Sequence, residues 1–182
     1  MNIARSADAL LETAGDFDAF VFDDRTYGSA WCHDAVCRLA QAFASSGIAP
    51  GDRVVLLLPN SIEHVLARWA VIRAGAVAIC VAPTAAATEV ERIVDHSGAS
   101  AMVAGGDLIA NVVPAAVRLR HRIVVGEAVG WIGLQSLIAS HPPMAEAVPR
   151  AADDLAQISY TSGVSSAPKG VMLTHGTFAG RA

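Results

Sequence analysis

The spacing of hydrophobic positions changes repeatedly along the chain, and the changes predict alternating strands and helices. Ala19 to Phe22 and Arg25 to Tyr27 are small apolar patches around Asp23-Asp24, which predicts a short hairpin turned by aspartates. Trp31, Ala35, Val36, Leu39, Ala40 and Phe43 then recur at helical spacing, with His33, Asp34, Arg38 and Gln41 opposite. Gly47 is placed to end that helix in a left-handed cap. Pro50-Gly51 predicts a turn, and the unbroken run Val54 to Leu58 predicts a parallel strand covered on both faces. Asn60 and Glu63 stand at capping-box spacing before a helix striped by Ile62, Val65, Leu66 and Trp69. After Gly75 comes a second buried strand, Ala76 to Val81. Thr88 and Glu91 open a third helix, striped by Val90, Ile93 and Val94 and ending near Gly98. A strand at Ala101 to Val103, a helix from Asp107 shortened by Pro114, and a strand at Ile123 to Val125 continue the pattern.

From Ala139 to Ala152 the periodicity breaks around Pro142, Pro143 and Pro149, which reads as a connection. It resumes at Leu155 to Tyr160 and at Val171 to Leu173, on either side of a Ser, Thr and Gly segment. Strands separated by helices of this length imply right-handed crossovers, so the expected fold is α/β, with about five mostly parallel strands flanked by helices. At roughly 100–200 residues per domain, residues 1–182 are read as one α/β domain.

Composition narrows the function classes. A hydrophobic fraction of 53% with 16% charged residues excludes intrinsic disorder. A net charge of -4 lacks the basic footprint of a nucleic-acid binder, so no nucleic-acid partner is expected. The uncharged stretch Ala74 to Thr88 is shorter than the ~20 residues of a membrane span and is interrupted by Gly75, Pro83 and Thr84. Met1 to Asp16 lacks the apolar block of a signal peptide, and Cys32, Cys37 and Cys80 read as reduced, structural thiols, so the expected location is cytoplasmic. Trp31, Trp69 and Trp131 read as core or near-core anchors. His33 and His64 have no partner at metal-ligand spacing, and no side-chain metal site is expected.

Chemistry concentrates in Tyr160 to His175, YTSGVSSAPKGVMLTH. Hydroxyls at Thr161, Ser162, Ser165 and Ser166, glycines at Gly163 and Gly170, and the cation of Lys169 sit between two strands. Such a loop can aim backbone N–H groups and hydroxyls at a polyanion while the lysine neutralises charge. It is not a Walker loop, because Pro168 before the lysine has no N–H and a strand follows. On composition alone, a solvated hairpin loop with a surface lysine is the competing reading.

The segment resembles the phosphate-binding signature of the adenylate-forming (AMP-binding) superfamily, which includes acyl-CoA synthetases, aryl-CoA ligases, peptide-synthetase adenylation domains and luciferases. The usual form runs Tyr-Thr-Ser-Gly-Thr-Thr-Gly-x-Pro-Lys-Gly-Val, then Leu-Thr-His. Tyr160, Thr161, Ser162, Gly163, Pro168, Lys169, Gly170, Val171, Leu173, Thr174 and His175 match it. Asp153-Asp154-Leu155-Ala156 is similar to the family's lead-in, and the likeness extends upstream. There Gly47-Ile48, Pro50-Gly51-Asp52-Arg53-Val54, Leu58-Pro59-Asn60-Ser61 and Arg73-Ala74-Gly75-Ala76 follow the family's order. Val164, Ser165 and Ser166 depart from Thr-Thr-Gly. A serine where the glycine needs positive φ costs about 1 kcal/mol.

The resemblance implies the first subdomain of an adenylate-forming N-terminal domain, a partial AMP-binding domain with a phosphate-loop segment at 160–175. It also implies ATP-dependent activation of a carboxylic acid, a fatty acid by preference, to an acyl-adenylate, followed by transfer to coenzyme A. Thr161, Ser162, Gly163, Ser165, Ser166, Lys169 and Gly170 would hold the β- and γ-phosphates, and the resemblance implies magnesium with the ATP. The family's adenine- and carboxylate-binding motifs, magnesium-holding acid and catalytic lysine have no counterpart in these residues, so no catalytic residue is assigned. A non-catalytic remnant that binds phosphate or pairs with another chain is therefore the alternative. Apolar surface left open in a partial domain leads to an expectation of self-association.

Overall fold

A computed structural model describes residues 2–116, 118–161 and 169–180. Near the N-terminus, helix α1 (Arg5–Ala14) precedes the antiparallel hairpin β1 (Asp18–Phe22) and β2 (Arg25–Gly28). Asp23 and Asp24 turn the hairpin at φ 48° and 58°, the left-handed region that aspartate tolerates better than most residues. Helix α2 (Ser29–Ser45), strand β3 (Arg53–Leu57), α3 (Ile62–Arg73), β4 (Val77–Val81), α4 (Ala87–Ser97) and β5 (Ala101–Gly105) alternate as the periodicity requires. A 3-10 turn (Gly106–Asn111) and α5 (Val113–Ala116) lead to β6 (His121–Val125), β7 (Ile132–Gly133) and α6 (Leu134–Ser140). After residues 141–154, which carry neither helix nor strand, come β8 (Leu155–Thr161), β9 (Lys169–Thr174) and α7 (His175–Ala179).

The main sheet has seven strands in the order β7-β6-β5-β3-β4-β8-β9. All neighbours are parallel except β8 and β9. The strand that the periodicity does not announce is the two-residue β7, too short for a periodic signal; β9, expected at Val171 to Leu173, runs antiparallel at the edge. Alternation along the strands builds a core on each face. Val54 and Leu56 pack with α2, α3 and α6. Val55 and Leu57 pack with α4 and α5. This two-sided burial is why β3 reads as an unbroken apolar run. At the end of α3, Gly75 adopts φ 76°, and a Cβ there would meet Val148 Cγ1 at 2.9 Å, so glycine lets the connection pack against the start of β4.

Several local expectations shift. The cap of α3 is Ser61, whose hydroxyl accepts from His64 N–H at 3.3 Å, one residue beyond Asn60. Helix α4 starts after Ala86 with no side-chain cap, so Thr88 and Glu91 lie inside it. Trp31 is 52% exposed, because in the first turn of α2 it faces the hairpin and packs tilted against Tyr27, ring centroids 5.4 Å apart, away from the sheet. Trp69 and Trp131 are half-buried beside the two cores.

Helix α1 is held by polar contacts that its sequence does not advertise. Buried Asn2 donates through Nδ2 to Ile72 O and Val148 O, both at 2.9 Å. Arg73, 1% exposed, donates to Asp8 Oδ1 at 2.7 Å and to the carbonyls of Met144 and Ala145 at 3.2 and 3.3 Å. His33 Nε2 lies 2.5 Å from the same Asp8 oxygen. Burial alone would raise the Asp8 carboxyl, but hydrogen bonds from His33 and Arg73 outweigh it and hold the group below its ordinary value.

Candidate phosphate-binding site

Strand β8 continues the parallel sheet beside β4, pairing Ala78 with Gln157, Ile79 with Ile158 and Cys80 with Ser159. Its last residue therefore emerges at the carboxyl edge of the sheet, where open α/β sheets place their ligands. The chain returns as β9, with Thr161 opposite Lys169 and Tyr160 opposite Gly170. The backbones of Thr161, Lys169 and Gly170 are thus brought together at the mouth of the hairpin. Ser162, Gly163, Ser165 and Ser166, with Val164 among them, lie outside the described residues. Lys169 is exposed and makes no ion pair among the described residues.

The stem below the mouth is packed with little slack. A Cβ on Gly170 would stand 2.7 Å from Ile158 Cγ2 and 3.3 Å from Tyr160 Cζ, so glycine lets β9 lie close over these side chains. Tyr160 is half-buried and its hydroxyl lies 2.9 Å from His96 Nδ1 on α4, with the rings edge to face at 85°. Burial pushes the tyrosine hydroxyl up from its ordinary pKa, so it stays protonated. No linear pattern could have singled out His96, because its partner is 64 residues away.

His175, at the start of α7, is fully buried. Its Nδ1 accepts from Ile3 N–H at 3.2 Å, and its backbone N–H donates to Asp154 O at 3.0 Å. Asp154 closes the lead-in by accepting from Ala151 N–H at 2.8 Å and forming an ion pair with Arg150, Nε to Oδ2 3.0 Å. Desolvation and, secondarily, the Arg150 charge lower the His175 pKa, so the ring is held neutral. These contacts make His175 an anchor between the N-terminal segment and the strand leaving the loop. Among the described residues, no group of three His, Cys, Asp or Glu stands where it could hold a metal ion. Cys32 and Cys37 are buried and Cys80 is half-buried; burial raises the Cys37 thiol to about 11, too high for a reactive thiolate.

This parallel sheet ending in an antiparallel hairpin has relatives. Residues 7–182 match the AMP-binding enzyme family. The chain belongs to that family. It is 37% identical over 142 residues to the long-chain-fatty-acid–CoA ligase FadD13 of Mycobacterium tuberculosis, covering 76% of this chain and 27% of the ligase. It is 30% identical over 185 residues to the 3-oxocholest-4-en-26-oate–CoA ligase of Rhodococcus rhodochrous, covering 96% of this chain and 33% of that protein. Among solved structures, a benzoate CoA ligase from Burkholderia xenovorans superposes with a TM-score of 0.85 at 26% identity, covering 97% of this chain and 35% of the other. The chain thus spans roughly a quarter to a third of the length of the relatives it matches, in their AMP-binding region. Among the described residues no helix is long and apolar enough to cross a membrane.

Proposed function

We propose that the chain forms the N-terminal portion of an ATP-dependent acid–thiol ligase and that its 160–175 segment holds nucleotide phosphate. The observation carrying this reading is the hairpin mouth: Thr161 opposite the exposed Lys169, above a close-packed Gly170, at the carboxyl edge of a family-matched sheet. A fixed stem with an exposed cation fits a polyphosphate, since the lysine can meet charge in solvent while the stem limits the loop's freedom. In this reading Lys169 pairs with the β- and γ-phosphates and with leaving pyrophosphate. Thr161, Ser162, Gly163, Ser165, Ser166 and Gly170 line the phosphate chain with hydroxyls and backbone N–H groups.

ATP, when bound, supplies the electrophilic α-phosphorus, and magnesium accompanies it. No residue of the segment acts as a nucleophile; their contribution is electrostatic stabilisation of phosphate charge. The acid is a carboxylic acid, a fatty acid by preference, and the acceptor thiol is coenzyme A. The relatives are named for fatty, steroidal and aromatic acids, which supports a carboxylic acid as the substrate class.

A second reading, phosphate binding without turnover, rests on the chain's coverage of 27% and 33% of its curated relatives. Catalysis requires the acid held in near-attack geometry against the α-phosphate, and the family motifs for that positioning have no counterpart in these residues. Acid-dependent exchange of pyrophosphate into ATP separates the two, with no exchange above background expected from this chain alone. The loop assignment is tested by calorimetric titration with pyrophosphate. Affinity should fall as salt rises. Lys169→Ala should weaken it about tenfold, the lower end for a charge-assisted bond because the lysine is exposed. Ser166→Gly should tighten it by removing the cost of a side chain at the family's glycine position. Equal affinities in all three proteins would refute the cradle. Val171 and Met172, 52% and 66% exposed on edge strand β9, support self-association, which concentration-dependent light scattering would register.

A further inference from the structure

A second concave site lies away from the hairpin mouth. Helix α1, strand β1, α2 and α3 enclose a cavity of about 310 Å³. Its walls include Leu10, Phe17, Phe20, Val36, Leu66 and Trp69, and no lining residue belongs to β8, β9 or α4. The mouth is open, with Leu10 49% and Phe17 41% exposed. An apolar cavity of ~150 Å³ takes up benzene, and this one is about twice that size.

The polar groups on the wall are already engaged, which defines what can enter. Arg73 presents its stem, while its guanidinium is held by Asp8 and the Met144 and Ala145 carbonyls. His33 faces Asp8. The Ser29 hydroxyl donates to Asp16 Oδ1 and accepts from Phe17 N–H, both at 3.0 Å. Burial raises the Cys32 thiol, so it stays neutral. No cation is free for a carboxylate, and α1 through β1 bring Asp8, Glu12, Asp16 and Asp18 against a lone Arg5. A carboxylate, or a ligand rich in hydrogen-bonding groups, would leave those groups unpaired.

We propose that this cavity binds a small, uncharged, mainly apolar molecule of the size of a medium-chain alcohol, at a site separate from the phosphate segment. Neither nucleotide binding nor turnover is needed to test it. The full chain at pH 8 is titrated with 1-hexanol, 1-octanol and octanoate, followed by calorimetry and by the fluorescence of Trp69, which lines the wall. Octanol should bind saturably. Hexanol should bind about fifteenfold more weakly, because two buried methylenes are lost. Octanoate should bind at least about tenfold more weakly than octanol, since its charge finds no partner. Val36→Phe fills the cavity from α2 and should abolish octanol binding while far-UV circular dichroism is unchanged. Ala19→Leu fills it from β1 and decides the matter should the first variant fail to fold. Non-saturable uptake, octanoate binding as tightly as octanol, or unaltered octanol binding in a folded filled variant would each overturn the proposal.

Discussion

Replacing Gly170 with alanine tests whether the close-packed stem governs the hairpin mouth. Gly170 is not at positive φ, so its backbone is open to any residue and the penalty is one of contact. The new methyl would stand 2.7 Å from Ile158 Cγ2 and 3.3 Å from Tyr160 Cζ, against the ~3.5–4.0 Å of a comfortable carbon contact. Ile158 Cγ2 is fixed at the β-branch and cannot swing aside as a long side chain's tip would. Overpacking of this kind costs about 1–3 kcal/mol, and losing glycine's excess unfolded-state entropy returns about 0.5–1. The net expectation is a loss of about 1–2 kcal/mol, or roughly 2–8 °C in melting temperature for a chain of this size. Because Gly170 pairs with Tyr160 and is followed toward the mouth by the Thr161–Lys169 pair, the displacement should also weaken pyrophosphate binding. Calorimetric melting and titration of Gly170→Ala measure both effects. Ile158→Leu removes one γ carbon at similar volume and should be nearly neutral alone, yet restore the alanine variant. Ile158→Val would not, because valine keeps both branches. Wild-type stability and affinity in Gly170→Ala, or failure of a neutral Ile158→Leu to rescue it, would refute the packing argument.

Asp8→Asn strands the buried Arg73 guanidinium and should cost about 2–4 kcal/mol, less than a sealed pair because the Asp8 side chain is 27% exposed. Arg73→Met in the same background should cost less than the sum of the single changes, and additive losses in urea unfolding would refute the coupling. Tyr160→Phe and His96→Ala break the same hydrogen bond, so each should cost about 0.5–1.5 kcal/mol and the double variant about as much as the larger single; independent losses argue against that bond. Burial lowers the pKa of His64, His121 and His175 below the ordinary 6.5, so the unfolded chain binds protons first. Stability from these groups should be complete above about pH 6.5 and decline as pH falls toward the depressed folded values. His175→Asn, which keeps an acceptor for Ile3 N–H without a titrating ring, should flatten part of that slope in denaturant titrations, and an unchanged slope would remove His175 from the account.

The parts of the fold legible in the sequence were those in which one period persists over many residues. Val54 to Leu58 announces a strand buried on both faces, and Val90, Ile93 and Val94 announce the buried stripe of α4. Short or externally supported elements were not legible. Helix α1 has no fully buried residue among Arg5 to Ala14; its short stripe Ala7, Leu10 and Leu11 meets an open cavity, and the helix is fastened by Asp8 and by Asn2 just before it. Trp31 shows the limit of spacing arguments, since helical phase cannot say whether a first-turn aromatic meets the sheet or a neighbouring hairpin. In the candidate site, the motif located the hairpin and its lysine. The supports of the stem, His96 for Tyr160 and Ile3 for His175, come from pairs 64 and 172 residues apart, which only the assembled topology brings together.

Those long-range pairs fix the strands on either side of residues 162–168. A Ser- and Gly-rich segment pays a large entropy cost to hold any one shape, and a ligand must meet that cost unless the flanks already limit it. Here the entering strand is fixed on one side by the parallel ladder to β4 and, through Tyr160, by α4. The leaving strand is fixed where His175 takes the Ile3 N–H and Gly176 N–H donates to Ala152 O at 2.6 Å. The entering strand is therefore tied to α4, and the leaving strand to the N-terminal segment and the 141–154 connection, independently of the residues between them. The sequence departures at Val164 and Ser166 fall between Thr161 and Lys169, outside the contacts that fix the two strands.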